Sequence, residues 1–271
     1  AVRMAVMAGV DMSMVPLDFS FYNYLIEVVK ENRVPMERID DAVSRILKVK
    51  FELGLFENPY PNKELKSNFA TEENRQINLQ AAQESIVLVK NEQNLLPLSK
   101  NIKALVTGPT ANMLSVLNGG WTITWQGNEE SLYPKEKKTF LEALQDKIGI
   151  SNVTYVQGTD FSKEINIGDV VNAAKNVDVI FLCLGEPAYC EWPGNINDLI
   201  LDEAQLNLAK TLIKTNKPIV LILYEGRPRV INKIVDGMKA ILIGMLPGME
   251  GAVATTDIIF GDVNPSGKLP F

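Results

Sequence analysis

Apolar positions along the chain change their rhythm near residue 57. Before it they recur mostly at helical spacing. Val2 to Ala8, rich in alanine and methionine, predicts a short helix ended by Gly9. Val10 to Val15 alternates weakly around Asp11 and reads as a very short strand that Pro16 stops. Phe21 to Glu31 predicts a second helix, and Ile39, Val43, Ile46, Leu47, Lys50 and Leu53 mark a third that closes at Gly54. The stretch Asn58-Pro59-Tyr60-Pro61-Asn62-Lys63 holds two prolines and no period, so it marks a boundary. The expected organisation is a first region 1–57, a linker 58–70 and a larger domain 71–271.

Beyond the linker the pattern becomes short apolar runs separated by helical stretches. Thr71 is placed to cap a helix whose first turn carries Glu72 and Glu73, favourable at the positive end of the helix dipole. Strands are expected at Ile86–Val89, Ala104–Thr107, Thr154–Val156, Val177–Leu184, Ile219–Leu223 and Ala240–Ile243. Helices are expected between most of them, at Phe140–Lys147, Ile167–Asn176, Glu203–Thr215 and Gly251–Ile259. Continuous apolar strands alternating with helices imply a mostly parallel sheet covered on both faces. The expected fold class is α/β, a six-stranded, mostly parallel sandwich.

Composition narrows the chemistry. Net charge is −6, which argues against a nucleic-acid partner; the basic cluster Lys135, Lys137 and Lys138 reads as a solvated turn. No apolar run approaches the ~20 residues of a membrane span, so no membrane partner is expected. The chain has no histidine, which removes His-based general bases and the commonest metal ligand. Cys183 lies inside an apolar run and Cys190 in the loop after it; they form neither a disulfide framework nor a metal-ligand spacing. The turn Gly108-Pro109-Thr110 lacks the further glycines of a dinucleotide fingerprint. No metal and no cofactor are therefore expected, and any catalysis must rest on carboxylates.

Two loops concentrate candidate chemistry. Gly185-Glu186-Pro187-Ala188-Tyr189-Cys190-Glu191-Trp192-Pro193-Gly194-Asn195 follows the most hydrophobic strand, where ligands bind in open α/β sheets. It carries two glutamates, Glu186 and Glu191, and spacing alone does not choose between them; an ordinary solvated loop fits the same residues. Gly119-Gly120-Trp121-Thr122-Ile123-Thr124-Trp125-Gln126-Gly127 sets two tryptophans between glycines. Such rings suit the apolar face of a sugar, and one is expected in the core and one exposed.

These loops stand in order with Glu84-Ser85-Ile86-Val87-Leu88-Val89-Lys90-Asn91, Leu95-Leu96-Pro97-Leu98, Gly226-Arg227-Pro228, Pro247-Gly248-Met249-Glu250-Gly251 and Phe260-Gly261-Asp262-Val263-Asn264-Pro265-Ser266-Gly267-Lys268-Leu269-Pro270. The series resembles the second domain of family 3 glycoside hydrolases, in the β-glucosidase and exo-glucanase branch. Ala8-Gly9-Val10-Asp11-Met12, Arg38-Ile39-Asp40-Asp41-Ala42-Val43 and Gly54-Leu55-Phe56 resemble the end of that family's first domain. Region 1–57 would then be the C-terminal remnant of a (β/α)8-type barrel, with its last strand and helices.

The resemblance implies an exo-acting, retaining β-glucosidase that removes terminal β-D-glucosyl residues from β-glucosides or β-glucan oligosaccharides. It assigns the acid/base to Glu191 and a sugar-packing role to Trp125. A raised pKa is expected of such an acid, from burial or a nearby carboxylate. The family's nucleophile is an aspartate in a Ser-Asp-Trp motif, which does not occur in this chain. Asp11 sits in a Gly-Val-Asp-Met setting that resembles a later barrel strand, so it reads as structural. The family's substrate-gripping lysine–histidine pair is missing, and Asn195 stands where the family often has aspartate. Both ends read as trimmed, and the first residue is followed at once by a helix with no secretion signal. The family resemblance suggests a secreted or periplasmic parent. Alone, the chain is expected to be inactive, and the apolar helix faces of residues 1–56 are expected to be covered by the sandwich domain, a second copy or a barrel-containing chain. The competing reading is a non-catalytic carbohydrate-binding or scaffold module.

Overall fold

The helical spacing before residue 57 becomes three helices in the computed structural model, which describes residues 1–15 and 17–270: α1 (Val2–Met7), α2 (Ser20–Lys30) and α3 (Met36–Glu52). They belong to a first compact unit, Ala1–Phe69, distinct from a second, Ala70–Phe271. Pro16, read above as the stop of a strand, and Phe271 lie outside the described residues. The expected strand Val10–Val15 does not form; the segment is irregular. A strand needs a ladder partner, and side-chain charge holds this segment instead. Asp11 is gripped by Arg45 Nε at 2.6 Å and by Arg38 Nη2 at 2.8 Å, and Arg38 Nε also donates to the Val6 carbonyl at 2.8 Å. Only Val6, Val34 and Ala42 are buried apolar residues among those described in this unit, while Val43, Leu47 and Phe51 on α3 stay exposed. The proline-rich stretch leads into one 3-10 turn, Lys63–Asn68, whose first turn Asn62 caps.

In the second unit each expected apolar run becomes a strand of one sheet. The strands are β1 (Val87–Asn91), β2 (Ala104–Thr107), β3 (Val153–Tyr155), β4 (Val179–Gly185), β5 (Ile219–Tyr224) and β6 (Ala240–Ile243). Their order is β1-β6-β5-β4-β2-β3, parallel throughout except for β1, which runs antiparallel to β6 at one edge. Six helices accompany them: α4 (Glu72–Ser85), α5 (Ser115–Asn118), α6 (Phe140–Ile148), α7 (Ile167–Ala174), α8 (Glu203–Ile213) and α9 (Gly251–Ile259). Thr71 caps α4 as expected, accepting from the Asn74 amide.

Alternation along the strands divides the core in two. Val106, Phe181, Cys183, Ile222, Tyr224 and Leu242 face one side and pack with residues of α4, α6 and α9. Leu105, Ile180, Leu182, Leu184, Leu221 and Leu223 face the other and pack with α7 and α8. Side chains that alternate with period two fill both faces, so the central strands read as unbroken apolar runs. The parallel strands β2, β4 and β5 all end at one rim, and that rim carries both loops singled out above.

Candidate active site

The loop after β4 starts from a fixed base. Gln205 on α8 is buried, and its side-chain amide makes two bonds to Gly185, accepting from the Gly185 N–H at 3.0 Å and donating to its carbonyl at 3.0 Å. The next residue, Glu186, is 5 % exposed. Its Oε1 takes Arg229 Nη1 at 2.7 Å, with Arg227 Nε at 3.1 Å as an ion-pair contact that lacks hydrogen-bond alignment. Its Oε2 accepts from the Gly226 N–H at 3.2 Å and the Tyr189 hydroxyl at 3.3 Å. Both oxygens are thus committed to donors, most of them from the segment that follows β5.

Tyr189 completes this base. The Arg227 guanidinium lies 4.1 Å above its ring centroid, a cation–π contact. The side chain passes so close to Gly194 and Gly226 that a Cβ there would fall 2.2 Å from the ring and 2.5 Å from the hydroxyl oxygen. Burial, and secondly the Glu186 charge, push the Tyr189 hydroxyl above its ordinary pKa. Beside this cluster lies Glu225, 1 % exposed, the first residue after β5. Its Oε1 accepts weakly from the Arg229 amide at 3.4 Å, and its Oε2 has no partner among the described residues. Burial first, and the Glu186 charge, push its carboxyl up to about 7. A cavity of about 450 Å³ on this side is lined by Phe161, Glu186, Tyr189, Asp198, Arg227 and Arg229. Neither Trp125 nor Glu191 lines it.

The tip of the loop is built differently. Glu191 is exposed, and no described residue donates a hydrogen bond or an ion pair to its carboxylate. Its backbone sits at φ 54°, ψ −146°, outside the favoured regions for a side-chain-bearing residue. The burial that acid chemistry led us to expect at this residue is not found on this domain's own surface. Asn195, a few residues on, is exposed as well.

The tryptophan loop meets the tip directly. Its inner side is filled by neighbours from the same segment: the Tyr133 hydroxyl donates to the Gly127 carbonyl at 2.7 Å, and Glu130 accepts from the Leu114 and Ser115 amides at the start of α5. With that space taken, neither ring enters the core. Trp121 is 70 % and Trp125 43 % exposed, which corrects the expectation of one buried ring. Gly120 abuts the acidic loop, where a Cβ would lie 2.4 Å from Cys190 Cβ and 2.7 Å from the Tyr189 carbonyl. Cys190 Sγ donates to the Trp125 carbonyl at 3.0 Å, and Gln126 Oε1 accepts from the Cys190 N–H at 3.1 Å. Trp125 and Glu191 therefore flank one junction of two bonded loops.

Asp11 lies in the first unit, with its carboxyl held far below the usual carboxylate range by hydrogen bonds from Arg45 and then Arg38. Glu225, Arg229 and Gln126 were not singled out from sequence. A usable signal for Glu225 was its place directly after a buried parallel strand, where functional residues gather.

The second unit is of the α/β class, a mostly parallel sheet with acidic and aromatic loops at one rim, and comparison with known proteins makes the assignment particular. Residues 86–271 match the glycosyl hydrolase family 3 C-terminal domain, and residues 1–49 match the glycosyl hydrolase family 3 N terminal domain. The chain belongs to glycosyl hydrolase family 3. It is 40 % identical over 281 residues to a lysosomal beta glucosidase of Dictyostelium discoideum, covering 100 % of this chain and 34 % of that protein. It is 36 % identical over 275 residues to a beta-xylosidase of Formosa agariphila, covering 97 % of this chain and 38 % of that one. The crystal structure of a beta-glucosidase from Listeria innocua in complex with glucose superposes with a TM-score of 0.86 at 31 % identity, over 99 % of this chain and 36 % of that one. The chain thus spans about a third of the length of the relatives it matches.

Proposed function

We propose that this chain contributes the acid/base half of a retaining, exo-acting β-glucosidase, with Glu191 as the proton-transfer residue and Trp125 as a surface for the sugar beyond the scissile bond. One observation carries the choice of glutamate. Glu186 is buried, its oxygens committed to two arginines, a tyrosine and an amide, whereas Glu191 stands exposed with its carboxylate unbonded. A buried carboxylate whose two oxygens are both taken by donors of its own domain is engaged in holding the loop and is not free to reach a substrate oxygen.

The chemistry then runs in two balanced displacements. Glu191, as the carboxylic acid, donates its proton to the glycosidic oxygen while the anomeric C–O bond breaks. A carboxylate from the barrel domain bonds to the anomeric carbon. Glu191, now ionised, takes a proton from water as the water oxygen attacks that carbon and the bond to the barrel carboxylate breaks, which frees glucose with retained configuration and restores both carboxyl groups. Retention requires the two carboxyls about 5–5.5 Å apart, so the exposed tip is completed by the barrel surface. The relatives named beta glucosidase favour glucosides; the beta-xylosidase relative makes xylosides the substrate to test beside them.

The test uses the polypeptide that carries both family domains. Glu191→Ala is expected to slow unactivated glucosides about 10²–10⁴-fold and aryl glucosides with good leaving groups far less, with azide restoring turnover as a β-glucosyl azide. If Glu186→Ala shows that pattern and Glu191→Ala does not, the assignment is wrong. The 271 residues alone, confirmed monomeric, are expected to release no glucose above background. Release with retention would place the nucleophile in this chain and overturn the division of labour.

The absence of a Ser-Asp-Trp motif from this chain favours, as a second reading, a non-catalytic carbohydrate-binding module. An intact chain that binds β-glucan oligosaccharides but never hydrolyses them, even with both domains present, would establish it.

A further inference from the structure

Glu191 holds an unfavourable backbone conformation with no bond on its own side chain, so something else must hold it there. The peptide that leads into it is the Cys190–Glu191 unit. Its carbonyl belongs to Cys190, and the orientation of that carbonyl sets the plane from which the φ of Glu191 is measured. Gln126 reaches across from the tryptophan loop and grips Cys190 on both sides. Its Oε1 accepts the Cys190 N–H at 3.1 Å, and its Nε2 donates to the Cys190 carbonyl at 3.4 Å, with Cys190 Sγ at 3.5 Å. The amide is half-buried in a contact that Gly120 keeps free of side chain. Gln205 makes the same two-point grip on Gly185 at the loop's other end. Between the two glutamines, Glu186 and Tyr189 fill the base.

We propose that Gln126 is a positioning residue of the acid/base: its side-chain amide fixes the Cys190–Glu191 peptide and thereby holds the Glu191 backbone at its φ of 54° and sets the direction of its side chain. The inference rests on the assignment of Glu191 made above. Without the grip, the peptide plane turns and Glu191 relaxes toward negative φ, which swings its carboxyl away from the glycosidic oxygen. A misplacement of about 1 Å costs up to 10²-fold in rate. Gln126 touches no reacting atom, so its effect must pass through Glu191.

The experiment is a double-mutant cycle in the polypeptide with both family domains. Gln126→Met keeps the volume and loses both hydrogen bonds; Gln126→Glu keeps the acceptor and loses the donor to the carbonyl. On cellobiose, whose leaving group needs protonation, Gln126→Met is expected to lower kcat about 10–100-fold. On 2,4-dinitrophenyl β-glucoside, which needs no acid, the first displacement should stay within about twofold of the parent. In a Glu191→Ala background Gln126→Met should cost nothing further on either substrate. Hydrogen exchange in a peptide spanning residues 186–191 should quicken in both variants, and the melting temperature records folding. Three results overturn the proposal: an equal loss on both substrates, a full loss persisting in the Glu191→Ala background, or unchanged kcat on cellobiose with quickened exchange. If Glu191→Ala itself lacks leaving-group dependence, the acid/base assignment falls and this proposal falls with it. If Glu191→Ala has that dependence and Gln126→Met does not, only the positioning role is lost.

Discussion

The base and the tip of the loop after β4 are five residues apart and are built on opposite principles. At the base, Glu186 is stripped of water and surrounded by donors from the segment after β5. At the tip, Glu191 keeps water, makes no bond through its carboxylate and carries the backbone strain. The difference teaches where the roles divide. A buried, paired carboxylate organises a loop because removing either partner strands a charge. An exposed one without a partner among the described residues holds nothing together and stays free to meet a ligand. Strain at the tip persists because the base and the neighbouring loop over-determine it.

The sharpest way to break this comparison is to exchange each glutamate and read rate and stability together. Glu191→Gln is expected to cut turnover of unactivated glucosides about 10²–10⁴-fold, while thermal stability moves by no more than about 0.5 kcal/mol, as for an exposed side chain. Glu186→Ala should do the reverse in kind. It leaves Arg227 and Arg229 without their buried counter-charge and should cost about 3–5 kcal/mol of stability, readable as a lowered denaturation midpoint. A stability loss at Glu191 equal to that at Glu186 would erase the distinction.

Much of the frame was legible before any coordinates. β2 and β6 begin and end where their apolar runs do, because strands buried on both faces leave no polar position to blur the edge. β1 extends to Asn91, past the apolar run, because Lys90 and Asn91 pair with Ile241 and Ala240 of β6. That partner lies far along the chain, and no local pattern announces it. The same limit hid the base of the loop: Glu186 and Arg229 are 43 residues apart and meet only because β4 and β5 are neighbours. The tryptophans failed for a related reason. Whether a ring is buried depends on what fills the loop's interior, and here Tyr133 and Glu130 already do so. Asp11, read from its Gly-Val-Asp-Met setting as structural, pairs with two arginines of α3, partners that its local sequence does not name.

Glu225 sharpens the comparison through pH. Its folded carboxyl is raised to about 7 from an ordinary 4.5. The folded state therefore binds a proton that the unfolded state releases between those two values. Stability contributed at this position is complete below pH 4.5 and falls as pH rises toward about 7, after which the penalty is constant. Glu225→Gln carries no such charge. The variant should match the parent near pH 4 and exceed it at pH 8 by on the order of 3 kcal/mol. Denaturant melts at the two pH values measure this directly. A gap of the same size at both would mean that Glu225 binds its proton alike in the folded and unfolded chain, and the raised value would fall.

Trp125 tests the tip by the smallest effect. Its ring is partly exposed, and its carbonyl accepts from Cys190 Sγ, so the backbone is fixed while the indole faces outward. Trp125→Ala leaves those backbone bonds in place and removes only the aromatic face. Loss of one stacking surface of this kind is worth on the order of 1 kcal/mol, a five- to tenfold rise in KM for β-glucan oligosaccharides. Small aryl glucosides, which present less sugar beyond the scissile bond, should lose less, and the melting temperature should hold. The more exposed ring of the same loop serves as the comparison: Trp121, whose backbone N–H donates to the Trp125 carbonyl at 2.8 Å, should change KM less when replaced by alanine. If Trp125→Ala instead lowers kcat on oligosaccharides and aryl glucosides alike while lowering the melting temperature, the ring is supporting the loop rather than meeting the sugar, and the tip's exposed surface has no stacking role at that position.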